Sequence, residues 1–364
     1  MTNANRWRRV GVVLALACGA QIAQAAAPAS LEAAARAQLE RPALPARAPE
    51  RALLLSVARA GDRLVAVGEH GVITVSDDGG QHWRAVASPS SATLTQVRFS
   101  GPKQGFAVGH FGVVLQSADG GLSWTRRLDG VRAATLALEQ RAGAGERALT
   151  AARRLVADGP DKPLLDVLMI DTGQVLAIGA FNTAYRSADA GARWADAAPL
   201  MANPRDLHLY GAAVAAGRVW LAGESGLLLA GTLEARDFVR VPLPYEGSLT
   251  GVLALGEQRL LVHGLRGNVF ASADAGASWT AAKLPADAGG ATVNCAVRLA
   301  DGSVVLGDQA GDVLTSADQG HSFQRLHRVG VPITGIAQAG DGALVLTTFV
   351  GAMRLPAAAP LASR

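Results

Sequence analysis

Five carboxylates recur in one local pattern, and a repeated acid is the first feature to test for chemistry. Asp78, Asp119, Asp189, Asp274 and Asp318 each occupy a segment S-x-D-x-G-x-x-[W/F], closed by Trp83, Trp124, Trp194, Trp279 and Phe323. A carboxylate in such a turn accepts hydrogen bonds from the amides that follow it, and the glycine two residues on supplies the positive φ the turn needs. These acids therefore read as structural rather than catalytic. A second pair of acids, Glu69 and Glu224, follows apolar strands in matching positions. Two carboxylates serve a glycoside hydrolase only when they stand about 5–9.5 Å apart. Tyr185, Tyr210 and Tyr245 are the only tyrosines, and none lies among polar residues that would activate a phenol as nucleophile. The seven histidines show neither H-x-x-x-H nor H-E-x-x-H spacing. His70 and His110 fall in neighbouring repeats and can approach each other, but they lack a third ligand for zinc. No glycine-rich phosphate loop is present, so neither a cofactor nor a metal is expected.

What positions these groups depends on what the chain can build. It has 364 residues, 49% hydrophobic, with a net charge of +4. That composition excludes intrinsic disorder and allows a large core, in two or three domains or one large all-β domain. Residues 1–25 read as a secretory signal. Arg6, Arg8 and Arg9 precede the apolar run 10–17, and Ala23-Gln24-Ala25 supplies a small-x-small cleavage site. The protein is thus expected in the periplasm or secreted. Cys18 introduces the alternative of a lipoprotein, although Ala15 stands where a lipobox carries leucine. Residues 26–40 read as a flexible linker. Cys295, the one cysteine beyond the leader, lies in an apolar run and reads as a buried, inert thiol. Removing the leader's three arginines lowers the net charge to +1. No basic stripe with interleaved aromatics marks a nucleic-acid site.

The elements themselves follow from an internal repeat. The serines of the five boxes are 41, 70, 85 and 44 residues apart. The long gaps contain a degenerate copy near Gly231 and an insertion at 131–158. Ahead of each box lies an apolar strand ending in glycine, a short turn and a second strand, and this pair occurs seven times. One more apolar strand precedes each pair, and the residues after each tryptophan supply a fourth. Four short strands in about 42 residues is the signature of a propeller blade. The fold expected is an all-β, seven-bladed propeller over 41–356, with a tail at 357–364. The last unit stops before a fourth strand, so residues 41–48 are expected to complete it and close the ring. The insertion has helix-forming composition, interrupted by Gly143 and Gly145, and should form short helices that wall one side of the ring mouth.

With strands a to d running outward, the b–c turns share one face with the d–a connections. Glu69 and Glu224 then fall in turns of units one and four, across the ring and too far apart for an acid pair. The b–c turns carry Glu69, His70, His110, Phe111, Phe181, Asn182, Glu224, Arg266, Asp308, Gln309 and Phe349. They differ between units whose flanking residues repeat. A scaffold that does not dictate a position leaves it open for binding. Aromatics mixed with charges suit a protein or peptide partner.

The boxes resemble those of Asp-box, or BNR, repeat proteins. Gly68 to Trp83 and Gly109 to Trp124 match G-x-x-G-x-[LIV]-x-x-S-x-D-G-G-x-x-W, which is similar to the Ycf48/HCF136-like family of photosystem II assembly factors. The resemblance covers roughly residues 50–355. It implies an exported, non-enzymatic, monomeric propeller without cofactors that binds a membrane protein or envelope complex. Some relatives accompany exporters of the resistance–nodulation–division type. Asp boxes also decorate sialidases, so the alternative it leaves open is a carbohydrate-active glycoside hydrolase.

Overall fold

The computed structural model describes residues 28–171, 173–288 and 290–357. Within them the chain forms seven antiparallel sheets, at 54–86, 94–128, 164–196, 209–240, 249–281, 293–328 and 333–355. Six have four strands and the seventh has three. Each innermost strand packs on that of the next sheet, and the first packs on the seventh, so the sheets close into a seven-bladed β-propeller. Strand b is buried on both faces in every blade, as Gly105–Gly109 and Leu260–Gly264 show. That is why these segments read as continuous apolar runs instead of alternating ones. Neighbouring blades are also stitched by one repeated position near the start of strand a. Thr95 Oγ1 donates to the Leu164 carbonyl at 2.7 Å, Asn294 Nδ2 to Ile333 at 2.9 Å and Thr334 Oγ1 to Leu54 at 2.7 Å.

Two expectations for the N-terminal segment are corrected. Of the segment 26–40 expected as a flexible linker, Pro28–Glu40 form a helix, α1. Alanine-rich sequence favours helix, and Ala35 and Leu39, one turn apart, are buried. Leu39 enters the core between blades one and two with Val86, Ala92 and Trp124. The carbonyl of Gln38 accepts from the Ser91 amide at 2.9 Å. Nor do residues 41–48 add a strand to blade seven. Among the described residues the outer strand Gly351–Leu355 has no partner on its far side. Pro42, Pro45 and Pro49 remove the donors that a ladder needs, and Pro49–Arg51 form a single 3-10 turn. The signal segment, Cys18 and residues 358–364 lie outside the described residues.

The insertion is helical, as expected, with α2 at Gly130–Arg141 and α3 at Glu146–Asp158. Asp129 caps α2 by accepting from the Arg132 amide at 3.0 Å. The pair starts on the b–c face, where Gly130 abuts the Phe111 carbonyl, but it does not wall the ring mouth. It turns outward along Ala195–Asp196, the two-residue outer strand of blade three. Arg141 pairs with Asp196, and Gln140 accepts from the Asp196 amide at 2.9 Å. A helix here covers a sheet edge that would otherwise expose unpaired groups.

Each Asp box is a hydrogen-bonded staple. The serine hydroxyl donates to its aspartate at 2.7–2.9 Å in all five copies. The same hydroxyl accepts from the box glycine amide at 2.8–2.9 Å. That glycine, at positive φ, presses on the preceding blade. A Cβ on Gly80, Gly121, Gly191, Gly276 or Gly320 would meet Val345, Val65, Phe106, Trp220 or Leu261 at 2.3–2.8 Å. Trp124, Trp194 and Phe323 are buried as expected, whereas Trp83 and Trp279 are only half-buried.

The staples make stability depend on pH. The Arg193 amide and guanidinium hold Asp189 down to about 2, and the Ser278 hydroxyl and amide hold Asp274 down to about 2. Asp78 is lowered further, first by the His82 amide. Groups depressed on folding stabilise fully above their unfolded value of about 4 and lose that contribution as pH falls through the folded value. His263, pushed down to about 4 by burial, adds a loss that starts near its unfolded value of about 6.5. Burial raises Asp166 and Asp308, which opposes the trend. Thermal melts should therefore fall gently below about pH 6.5 and steeply below about pH 4. Stability that rises on acidification through that lower range would contradict this account.

Candidate functional site

The b–c turns have one backbone design. The glycine that ends strand b is extended, and a Cβ on Gly68, Gly109, Gly179, Gly223 or Gly264 would lie 1.9–2.4 Å from the carbonyl of the residue just before strand a of the same blade. Two residues on, the chain enters the left-handed region at a non-glycine residue. These are His70, Phe111, Phe181, Ser225 and Arg266, with φ of 52–57°. Glycine would adopt this conformation without strain, whereas each of these side chains costs about 1 kcal/mol or more. Four of the five are large, and three of them, His70, Phe181 and Arg266, are exposed. Backbone strain accepted at one repeated position to display large side chains marks this face as the candidate site.

The sequence-derived residues divide into two groups. Glu69, His70, His110, Phe181, Arg266, Gln309 and Phe349 are exposed, and Glu224 and Phe111 are partly so. Partial desolvation of its ring lowers the His110 pKa, favouring the neutral form. Asn182 and Asp308 do not belong to the surface. Asn182 is 7% exposed and accepts from Asn203 Nδ2 at 3.0 Å, clasping the following loop. Asp308 is 2% exposed and accepts from the Asp312 amide at 2.8 Å, an internal turn cap.

The most contiguous part of the face lies on blades three to five. The Phe181 ring, 57% exposed, is 4.6 Å from His208, which stacks parallel on Tyr210 at 6.0 Å. Lys162 Nζ sits 5.6 Å from the Phe181 centroid. Glu224 accepts from the His208 amide at 3.2 Å, and Tyr245 donates to the Leu265 carbonyl at 3.1 Å. The sequence reading missed Lys162, His208, Tyr210 and Tyr245. Lys162, His208 and Tyr245 lie in d–a connections, which join this face only once the ring is assembled. Tyr210 carried a usable signal, since it stands where blades two, five, six and seven carry the threonine or asparagine that stitches them to the next blade. This shelf offers aromatic stacking and hydrogen bonds, with a cation at one end and a carboxylate beside it. Burial raises the pKa of Tyr185, Tyr210 and Tyr245. Burial also pushes the Cys295 thiol up to about 12, as it donates to the Gly307 carbonyl. Among the described residues no three His, Cys, Asp or Glu side chains come together as metal ligands.

A ring of seven blades, five of them closed by the same serine–aspartate turn, defines the class as a β-propeller, and the comparisons with known proteins narrow it. The family model described as photosynthesis system II assembly factor YCF48 matches residues 148–332, half of the sequence, and the chain belongs to that family. Among solved structures, YCF48 bound to a D1 peptide is 18% identical with a TM-score of 0.59, over 86% of this chain and 96% of that one. YCF48 from Cyanidioschyzon merolae is 14% identical with a TM-score of 0.61, over 86% and 98%. A streptogramin B lyase shares the fold at 10% identity and a TM-score of 0.65, over 85% and 95%. At such identities the likeness shows the fold alone. Curated proteins yield no match.

Proposed function

We propose that the chain is an exported, non-enzymatic propeller that holds a segment of a membrane protein or envelope complex on its b–c face while that partner is assembled. The observation that carries this reading is the row of large side chains displayed at positive φ, continuous with the Phe181–His208–Tyr210 shelf. A YCF48 propeller bound to a D1 peptide supports a peptide as the ligand class. Tyrosines shifted away from ionisation support the absence of a phenolate nucleophile. The leader residues support export.

Chain expressed from the full sequence and recovered from the periplasmic fraction should capture a membrane protein from detergent-solubilised membranes. The variant Phe181→Ser/Tyr210→Ala/Phe349→Ser should weaken capture by about tenfold or more, as expected for central aromatic anchors. Leu122→Ser, on the Asp-box face, should leave capture unchanged. Undiminished capture by the triple variant, glycoside turnover by the wild type, or absence from the periplasm would each overturn the corresponding part of the reading.

A further inference from the structure

Charge is distributed unevenly around the ring. Residues 28–162 carry seventeen Arg and Lys against thirteen Asp and Glu, whereas residues 163–357 carry thirteen against seventeen. Most of the excess lies at 125–158, with seven arginines and four acids. In space this stretch is the outer strand of blade two, Thr125–Leu128, together with α2 and α3. Beside it lies α1, and a cavity of about 260 Å³ between α1, that strand and α2 is lined by Arg36, Arg126, Arg132 and Thr135. Glu40 and Asp129 also line it. Asp129 is committed to the α2 cap and to Arg126. On α3, Ala148, Leu149, Ala152 and Leu155 are buried or half-buried, while Arg147, Arg153, Arg154 and Val156 are exposed. The pairs Arg153–Glu146 and Arg154–Asp158 are long, 3.7 Å each, and well exposed. Such pairs contribute little and exchange readily for another anion.

We propose that this outer wall docks on an anionic phospholipid bilayer, with Arg36 of α1, Arg132 of α2 and Arg147, Arg153 and Arg154 of α3 set among lipid phosphates. Guanidinium groups bind phosphate oxygens in a two-pronged geometry that suits a headgroup layer. Beside the arginines, α2 and α3 expose Thr135, Thr150, Ala151 and Val156, with the acids Glu139, Glu146 and Asp158 already paired to arginine, and include no aromatic platform for stacking bases. This inference is separate from the proposed protein partner, which uses the b–c face.

Flotation with protein-free vesicles tests it. The chain should bind vesicles in which a third of the phosphatidylcholine is replaced by phosphatidylglycerol, and should ignore pure phosphatidylcholine. Binding should be lost at about 0.5 M salt, where screening shortens to about 4 Å. The variant Arg36→Gln/Arg132→Gln/Arg147→Gln should bind about a hundredfold more weakly, from about fivefold per arginine. Arg236→Gln/Arg240→Gln/Arg259→Gln removes the same charge from blades four and five and should bind as the wild type does. Both variants should melt as the wild type does. Equal losses in the two variants, binding indifferent to phosphatidylglycerol, or retention on heparin or DNA without vesicle binding would overturn the proposal.

Discussion

Replacing Asp166 by alanine is expected to lower the unfolding free energy by about 2–4 kcal/mol, because two backbone amides and a half-exposed guanidinium lose their acceptor. Asp166 is 1% exposed on the inner strand Leu164–Met169 of blade three. Arg98 of blade two grips both its oxygens, at 2.8 and 2.6 Å. The Ala212 amide of blade four donates to it at 2.8 Å, and its neighbour's amide, Val167, does so at the same distance. One carboxylate thus ties three consecutive blades at the channel wall. Burial alone raises its pKa, with Arg98 opposing, so the guanidinium is what keeps the charge tolerable. Substituting alanine strands Arg98 and two buried amides together. Asp166→Asn, which retains an acceptor for one amide, should cost less. The double variant Arg98→Met/Asp166→Leu should recover part of the loss, since an apolar pair can replace an ionic one. Full recovery is not expected, because the Ala212 amide stays unpaired. Urea unfolding of the three variants measures the order. An alanine variant within about 1 kcal/mol of wild type would show that the three blades do not depend on this tie.

How far such ties were legible in the sequence varies with their range. The seven blades were legible because strand runs, turn glycines and box serines are local features repeated in register. The helices of the insertion were legible from composition and from Leu149, Ala152 and Val156 at helical spacing, although Val156 proved to face solvent at 45% exposure. The helix α1 was not, because an alanine-rich stretch after a leader reads as a linker. Its only signal was Ala35 with Leu39 four residues on, and what buries them is Trp124 and its neighbours, far along the chain. The outer face was readable in part. Residues at b–c turns can be placed by the repeat, but Asn182 and Asp308 took structural hydrogen bonds at positions where other blades expose side chains. His208 and Tyr245 reach the shelf only through ring closure, which repeat logic does not describe.

Ring closure gives the second large effect, since Gly351→Ala should destabilise the protein by about 3 kcal/mol or more, combining steric overlap with left-handed strain. Gly351 has φ of +123°, and a Cβ there would lie 2.0 Å from the Glu50 carbonyl and 2.8 Å from the Arg51 Cα. The same contact joins blades one and four to the connection that follows them, Gly71 meeting Ser90 and Gly226 meeting Tyr245. At the end of the chain no following connection exists among the described residues, and the segment ahead of blade one fills that role. Neither side can yield easily. The Thr348 hydroxyl accepts from the Val350 amide at 3.1 Å and donates to the Gly351 carbonyl at 2.8 Å. Opposite, Pro49 is buried, and its carbonyl accepts from the Ala52 amide that closes the turn. Gly217→Ala is the matched control, with φ of +68° but nothing within 4 Å, and should cost only about 1 kcal/mol. Denaturant midpoints of the two variants separate the steric contribution from backbone strain. If both shift equally, the N-terminal segment does not close this ring, and the packing of blade seven on blade one through Leu54, Val57, Ala337 and Val345 holds it alone.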